Sequence, residues 1–498
     1  MSGLIYYNDK RRVLPKLVRS DQFSETIIDN KDFLSGNFFF NDEEIRKLYL
    51  LWKKDKNNKS VSGEIVSFAI VAGKELEYAD VIEQFKYKNS ESKESEDIQI
   101  DLHERISNNK KKLIFEPKDS ITWTNQAINY LELGQREKAL NAIYTALTIE
   151  KNSSFVTRNA SRIFNIIGDN SLAIKILKSS DYYKYDPQIL SSEISFSQLE
   201  NRQTKGIDLG MNLLLKQKER YQLSQLSELS STLGTVEYFK GDFKKSEKLF
   251  DISLESFNEN SFAQSLWYKK NPLPNKLNTF FEQSPEIQTH LRIKESDFIN
   301  AFNSANDWTI IEPYSKRPFE TAAFIGGVLL DKFDVATQLM ETSFSKQKQI
   351  KGTLSSNDET AFKNNIAYYL LRNNKLDEAK VYLKDSISLV DRQNLNSIEH
   401  AYIATLGLYF YKIGEIELAR KFYSKTINFF KTQNNLYNTK SAFLNFIREE
   451  ISITDSKEEL IKLKKELDIR VNEKSENDLI YIKNKLIKDF EEKIILSK

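Results

Sequence analysis

The sequence offers few side chains that could carry out catalysis. Histidine, the most versatile acid–base residue, occurs only at His103, His290 and His400 among 498 residues. The three lie far apart in the sequence, and none has the HExxH or HxH spacing that would bring two imidazoles to one metal ion. There is no cysteine, which excludes thiolate metal sites, cysteine nucleophiles and disulfides. The sequence therefore predicts no metal site and no cofactor.

Phosphate-binding loops are absent as well. No GxxxxGK[ST] stretch occurs, and no GxGxxG follows a strand. Carboxylates are abundant, but on helices they pair with lysines four residues away and form a solvated face. We predict that the protein is not an enzyme. An activity within residues 1–115 or 259–320, regulated by the rest of the chain, remains the alternative.

Charge and hydropathy define the surroundings that the chain suits. Lys and Arg number 73 against 71 Asp and Glu, so the net charge of +2 creates no field that would attract nucleic acid. The basic stretches RRVLPKLVR and NNKKK are short, and a nucleic-acid-associated regulator is only an alternative. The longest apolar run, near 65–72, is too short to span a bilayer. We expect a cytoplasmic protein without membrane contact, and the abundant Lys, Asn and Ile suggest a bacterial source.

The elements that position these side chains are predicted to be helices. Only 15 glycines and 8 prolines occur, which disfavours a turn-rich β architecture, while 40% hydrophobic residues can form a large core. The stretch WTNQAINYLELGQREKALNAIYTAL shows the pattern best. Trp123, Ala127 and Tyr130 share one face of a first helix, and Gly134 ends it. Ala139 and Ala146 lie on a second helix that packs back on the first, because small side chains allow a close approach.

This helix pair recurs along the chain. Ala173 follows Ala139 by 34 residues, and further copies centre on Ser246, Ala336, Ala379 and Ala419, with a hidden copy near Gly206. Gly414 repeats the turn glycine before Ala419. The pattern resembles the tetratricopeptide repeat, a helix–turn–helix unit of about 34 residues. The resemblance implies an all-α, right-handed superhelical solenoid with extra helices at both ends of the chain.

We divide the chain into five segments. Residues 1–115 are a non-repeat helical region with a charged linker at about 86–112, and 116–260 are a first block of repeats. Residues 261–320 hold a proline cluster and are an irregular insert or an atypical helix pair; 321–435 are a second block. Residues 436–498 form charged helices that cap the array or join two copies into a homo-oligomer.

The resemblance implies that the first helix of each pair faces a concave surface. There the first copy presents Thr124, Ile128 and Leu131. The other inward candidates for partner binding are Arg158, Arg162, Asn165, Tyr238, Asn364, Tyr368, Arg372, Tyr411 and Lys412. Arg158 and Arg162, one helical turn apart, could hold a carboxylate or form a solvated basic face. We predict a protein- or peptide-binding scaffold, or a regulator that senses a peptide through the repeats.

Overall fold

The computed structural model describes residues 12–20, 42–56, 61–62, 65, 69, 77–88, 95–221, 223–255, 258–268, 284–387, 397–473 and 475–496. Within these ranges the regular structure is helical and no strand occurs. The prediction of an all-α chain built from helix pairs is confirmed. In the same ranges no helix is both long and apolar enough to cross a bilayer.

The α-helices of the described residues follow one another in short succession. In chain order they are α1 Asp42–Lys54, α2 Ala79–Lys88, α3 Ser95–Phe115, α4 Ser120–Glu132, α5 Arg136–Ile149, α6 Ser154–Ile167, α7 Asn170–Ser179, α8 Pro187–Leu199, α9 Gly206–Lys216, α10 Leu223–Lys240, α11 Phe243–Ser253, α12 Glu259–Tyr268, α13 Pro285–Lys294, α14 Phe298–Ile311, α15 Lys316–Ala323, α16 Phe333–Lys351, α17 Ser356–Arg372, α18 Leu376–Ile387, α19 Ser397–Lys412, α20 Ile416–Thr432, α21 Leu436–Ile453, α22 Lys457–Arg470 and α23 Asn477–Leu496. A π-helical segment, Phe324–Leu329, follows α15.

The helices belong to two compact units. The N-terminal unit comprises Lys10–Gln288 with Gln349–Lys351, and the C-terminal unit contains Thr289–Lys348 and Gly352–Lys498. The finer division into five segments remains a prediction.

Local sequence explains where the helices of a pair begin and end. The side chain of Asp119 caps α4 by accepting hydrogen bonds from the amides of Ile121 and Thr122 at 3.0 and 3.1 Å. Gly134, between α4 and α5, has a φ of 72°. That left-handed backbone conformation suits a residue without a Cβ, and it turns the chain back after three residues.

Small residues lie where the two helices of a pair cross. Ala127 and Ala139 are completely buried, as are Ala146 and Ala173. Trp123 and Tyr130 are only half-buried. The equivalent alanines of the C-terminal unit, Ala379 and Ala419, are also buried, and Gly414 takes a φ of 86° at the turn.

The first helices of consecutive pairs pack side by side in the N-terminal unit. Helix α4 contacts α6, α6 contacts α8, α8 contacts α10, and α10 contacts α12. Helices α8 and α9 pack together where the hidden copy near Gly206 was expected. Five adjacent helices therefore form one continuous layer.

The C-terminal unit repeats this arrangement around its own core. Helix α17 contacts α19, and the pairs α17–α18 and α19–α20 pack closely. A Cβ at Gly327 would lie 2.3 Å from Cε1 of Tyr369, which shows tight packing at this glycine. Leu460 and Leu467 of α22 are buried, and α22 packs with α23 against α21.

The proline-containing segment is helical over its described residues. Helices α13, α14 and α15 occupy most of 285–323, so the part of the insert that the structure describes is a set of helices. Trp308 is 1% exposed, and Arg317 lies over its ring at 4.8 Å. Trp308 is therefore a packing residue of the C-terminal unit.

Candidate functional site

Residues 12–20, with the sequence RVLPKLVRS, lie extended across the layer of first helices. Val13 and Pro15 are buried and the other seven residues are half-buried. The side chains that receive the segment come from α4, α6, α8, α10, α12 and α13. We call the surface that they form the groove; its contacting residues are Asn125, Asn129, Glu132, Asn159, Ser195, Phe239, Glu259, Asn260 and Glu286.

The segment runs opposite to the order of the helices. Val13 bonds to α8 and Leu14 to α12, whereas Ser20 bonds to α4 near the start of the layer. The contacts join residues more than 100 positions apart in sequence, such as Ser20 with Asn125. The groove is therefore a tertiary feature, which no local stretch of the chain specifies.

Several hydrogen bonds to the segment involve its main chain. The hydroxyl of Ser195 donates to the carbonyl of Val13 at 2.7 Å, and the amide of Asn260 donates to the carbonyl of Leu14 at 2.8 Å. Asn125 accepts from the main-chain N–H of Ser20 at 3.0 Å and donates to its hydroxyl at 2.6 Å.

Asn159 of α6 holds both main-chain groups of a single residue. Its Oδ1 accepts from the N–H of Val18 at 2.9 Å, and its Nδ2 donates to the carbonyl of Val18 at 3.0 Å. The Nδ2 also donates to the carbonyl of Phe155, one turn earlier in α6, at 3.1 Å. This second bond fixes the orientation of the amide, so Asn159 presents a donor and an acceptor at set positions.

Cationic side chains of the segment meet carboxylates of the groove. Nζ of Lys16 lies 2.7 Å from Glu259 and 3.4 Å from Glu286, whose side chain is only 2% exposed. Arg19 donates to Glu132 at 2.7 Å and to Oδ1 of Asn129. Charge-assisted bonds of this kind are stronger than neutral ones and favour a cation at each position.

An aromatic contact holds the start of the segment. The guanidinium carbon of Arg12 lies 4.1 Å from the ring centre of Phe239 on α10, a cation–π geometry. Burial lowers the pKa of Arg12, and the charge of Tyr268 partly offsets that effect.

A buried ion pair positions the amide that binds Leu14. Arg158 donates to Glu228 at 2.5 Å and to Gln188 at 2.7 Å. The other oxygen of Glu228 accepts from Asn260 at 2.8 Å, and the same Nδ2 of Asn260 reaches the carbonyl of Leu14. Arg158 is thus three contacts away from the segment, in a network that orients the groove wall.

The other expected partner-binding residues of the N-terminal unit make internal contacts. Arg162 donates to Asn165, and Asn165 donates to Asn170 at 2.6 Å. Tyr238 packs edge-on against Tyr268, with ring centres 4.6 Å apart. Binding of an external partner by Arg158, Arg162, Asn165 and Tyr238 stays a prediction.

Residues that touch the segment follow the expected inward positions by one residue. Thr124, Ile128 and Leu131 are buried, whereas Asn125, Asn129 and Glu132 contact residues 19–20. The same offset relates Arg158 to Asn159 and Tyr238 to Phe239. One residue turns a helix by about 100°, which changes the face that a side chain occupies.

The expected inward residues of the C-terminal unit contact α21. Arg372 pairs with Glu449 at 2.7 Å, and the hydroxyl of Tyr368 donates to Asn445 at 3.1 Å. Tyr411 donates to Glu450. Burial raises the pKa of Tyr411, and the hydrogen bond to Glu450 raises it further.

The remaining candidates of that unit are Asn364, four residues before Tyr368, and Lys412, next to Tyr411. Asn364 is buried and bonds to Asn365 at 3.3 Å, and Lys412 is half-buried. Whether any of these five residues binds a partner stays a prediction.

The histidines pack against aromatic rings. His400 stacks on Phe429 with ring centres 3.5 Å apart, and His290 lies edge-on to Trp308 at 6.1 Å. His103 is exposed on α3.

The sequence did not predict that residues 12–20 dock on the helices, nor that asparagines of the groove hold them. From the sequence alone, this segment is only a short basic stretch. The available signal was the polar set Asn125, Asn129 and Asn159 on first helices, because asparagine is a poor helix former that needs a reason to sit inside one.

The fold and the groove define an all-α array of stacked helix pairs, with one layer of helices holding an extended segment. No family model and no curated protein matches the chain. Among solved structures, the crystal structure of yeast Tom70 is similar with a TM-score of 0.33 and 14% sequence identity. The similarity covers 85% of this chain and 96% of that chain.

Proposed function

We propose that the protein is a non-catalytic scaffold that binds extended segments of other proteins in the groove. The observation that carries the proposal is the mode in which residues 12–20 are held. Asn125, Asn159, Ser195 and Asn260 bond to main-chain atoms, which every peptide possesses. Such a surface recognises an extended backbone first and a sequence second.

Selection of binding peptides from a displayed random library tests this function. The full chain is compared with a chain carrying Asn125→Ala and Asn159→Ala, which loses three main-chain hydrogen bonds. A chain with Asn152→Ala and Asn170→Ala is the matched control, because these asparagines bond to Asp181 and Glu200 of the scaffold itself. We expect peptides to be enriched by the full chain and by the control. Equal enrichment by the Asn125/Asn159 variant would contradict the proposal.

A narrower version makes the protein a bacterial, cytoplasmic regulator. Helices α1–α3 would act on a protein partner while the helix pairs sense a peptide. Deletion of residues 42–115, which keeps the 12–20 segment, should then remove the regulatory output and preserve peptide binding. Loss of both would argue against separate roles.

A further inference from the structure

We propose that the external ligand of the groove is an extended, cationic segment of another protein, and that residues 12–20 compete with it as an intramolecular stand-in. The inference rests on the proposed function and adds the chemistry of the partner and the control of access. Three features of the groove lead to it.

The first feature is that a segment of another protein can form the same main-chain hydrogen bonds with the groove. Main-chain groups of Val13, Leu14, Val18 and Ser20 form hydrogen bonds with side chains of the groove. Any residue can supply the carbonyls, and any residue except proline can supply the N–H groups. A peptide in the same extended conformation offers the same atoms at the same spacing. The segment therefore marks a site that other segments can occupy.

The second feature is the charge of the groove at two points. Glu259 and Glu286 surround Lys16, and Glu132 meets Arg19 three residues further on. A ligand with acidic side chains at these positions would place like charges together, which disfavours binding. A ligand with Lys or Arg at positions i and i+3 retains both ion pairs. The partner is thus a cationic segment with apolar residues just before the cation that takes the place of Lys16, where Val13 and Pro15 are buried.

The third feature is that the stand-in belongs to the same chain. A tethered segment experiences an effective concentration on the order of 1 mM. If the free nonapeptide binds with a dissociation constant of about 10–100 μM, the groove is self-occupied for roughly 90–99% of the time. An external ligand then binds about 10–100-fold more weakly than it would to an empty groove.

The test measures the anisotropy of a fluorescein-labelled RVLPKLVRS peptide with full-length chains. The variant Lys16→Glu/Arg19→Glu weakens the docking of the segment and leaves every groove residue unchanged. The control Lys110→Glu/Lys111→Glu makes the same change of net charge on the exposed surface of α3. We expect the Lys16/Arg19 variant to bind the peptide about 10–100-fold more tightly than wild type or control. A peptide that itself carries the two glutamates should bind at least about tenfold more weakly.

Each opposing result identifies what has failed. Equal affinity in wild type and the Lys16/Arg19 variant overturns self-occupancy while peptide binding stands. Equal affinity for both peptides overturns the requirement for cations. Absence of binding by every chain overturns the proposed function as well. A wild-type dimer that the Lys16/Arg19 substitutions dissociate, detected by analytical ultracentrifugation, shows that the segment occupies the groove of a second copy and overturns the intramolecular arrangement.

A second variant keeps the test decisive if charge reversal prevents folding. Val18→Pro removes the N–H that donates to Asn159 and changes no charge. Like the charge reversal, Val18→Pro should increase the affinity of the full-length chain for the labelled peptide. A circular-dichroism melt of each chain establishes that it is folded.

Discussion

Replacing Asn159 by Ala should release the 12–20 segment measurably without unfolding the helices. The substitution removes two hydrogen bonds to Val18, at 2.9 and 3.0 Å. Each contributes about 0.5–1.5 kcal/mol net, so docking should weaken by about 1–3 kcal/mol. At about 1.4 kcal/mol per factor of ten, the equilibrium constant for docking of the segment falls roughly 5- to 150-fold, which increases the undocked fraction.

The chain lends itself to a direct assay of this fraction because it contains no cysteine. A single Val13→Cys substitution introduces a thiol at a position that is 2% exposed in the docked segment. A thiol reagent then reacts in proportion to the time that the segment spends undocked. With the segment of the parent docked for roughly 90–99% of the time, the labelling rate of the Asn159→Ala chain should exceed that of the parent Val13→Cys chain by about 4- to 60-fold.

Asn152→Ala is the matched control, since Asn152 bonds to Asp181 on the same unit. Its labelling rate should equal that of the parent. If Asn159→Ala and Asn152→Ala chains label at the same rate, Asn159 does not hold the segment, and the reasoning about the groove fails. Equal melting temperatures of the two chains would show that labelling reports local release.

Further predictions concern the helices that support the groove. Ala139→Leu should overpack a fully buried helix crossing and lower the free energy of unfolding by about 1–3 kcal/mol, measured by urea denaturation. Gly327→Ala should also destabilise, by about 1–3 kcal/mol, because Tyr369 would have to move away from the new Cβ; an unchanged melting temperature would disprove the close packing. Asp119 is subject to burial that raises its pKa, but hydrogen bonds from Lys112 and Thr122 outweigh it and hold the pKa below 3.8. A depressed pKa gives stability that is present above the unfolded value and is lost as the pH falls through the folded one. Acidification from about pH 5 to 2 should therefore cost wild type more stability than Asp119→Asn, in pH-dependent urea titrations.

Much of the fold could be predicted from the sequence because helix pairing depends on local spacing. Ala139 and Ala173 stand one repeat apart, and Gly134 marks the turn between two helices. Each signal lies within a few residues of the structure it produces. The composition of the layer that α4, α6 and α8 form follows from the same repeat.

The groove could not be predicted from the same signals. Its contacts join residues separated by 105 to 270 positions, such as Ser20 with Asn125 and Lys16 with Glu286. No periodicity identifies RVLPKLVRS as a segment that docks. An extended segment that pairs with no strand has no characteristic spacing of apolar residues. The inward positions that the resemblance implies also lie one residue before those that contact the segment, and only the packing of neighbouring helices decides that rotation.

The two hydrogen bonds between the side-chain amide of Asn159 and the main chain of Val18 have an implication for the evolution of the groove. Because the asparagines contact main-chain atoms, they can hold a segment whose side chains have been substituted. If the groove binds segments of other proteins as proposed, its choice among them rests on a few carboxylates. Exchanging Glu132 or Glu259 for another side chain then changes which segment is bound while the helix pairs are preserved.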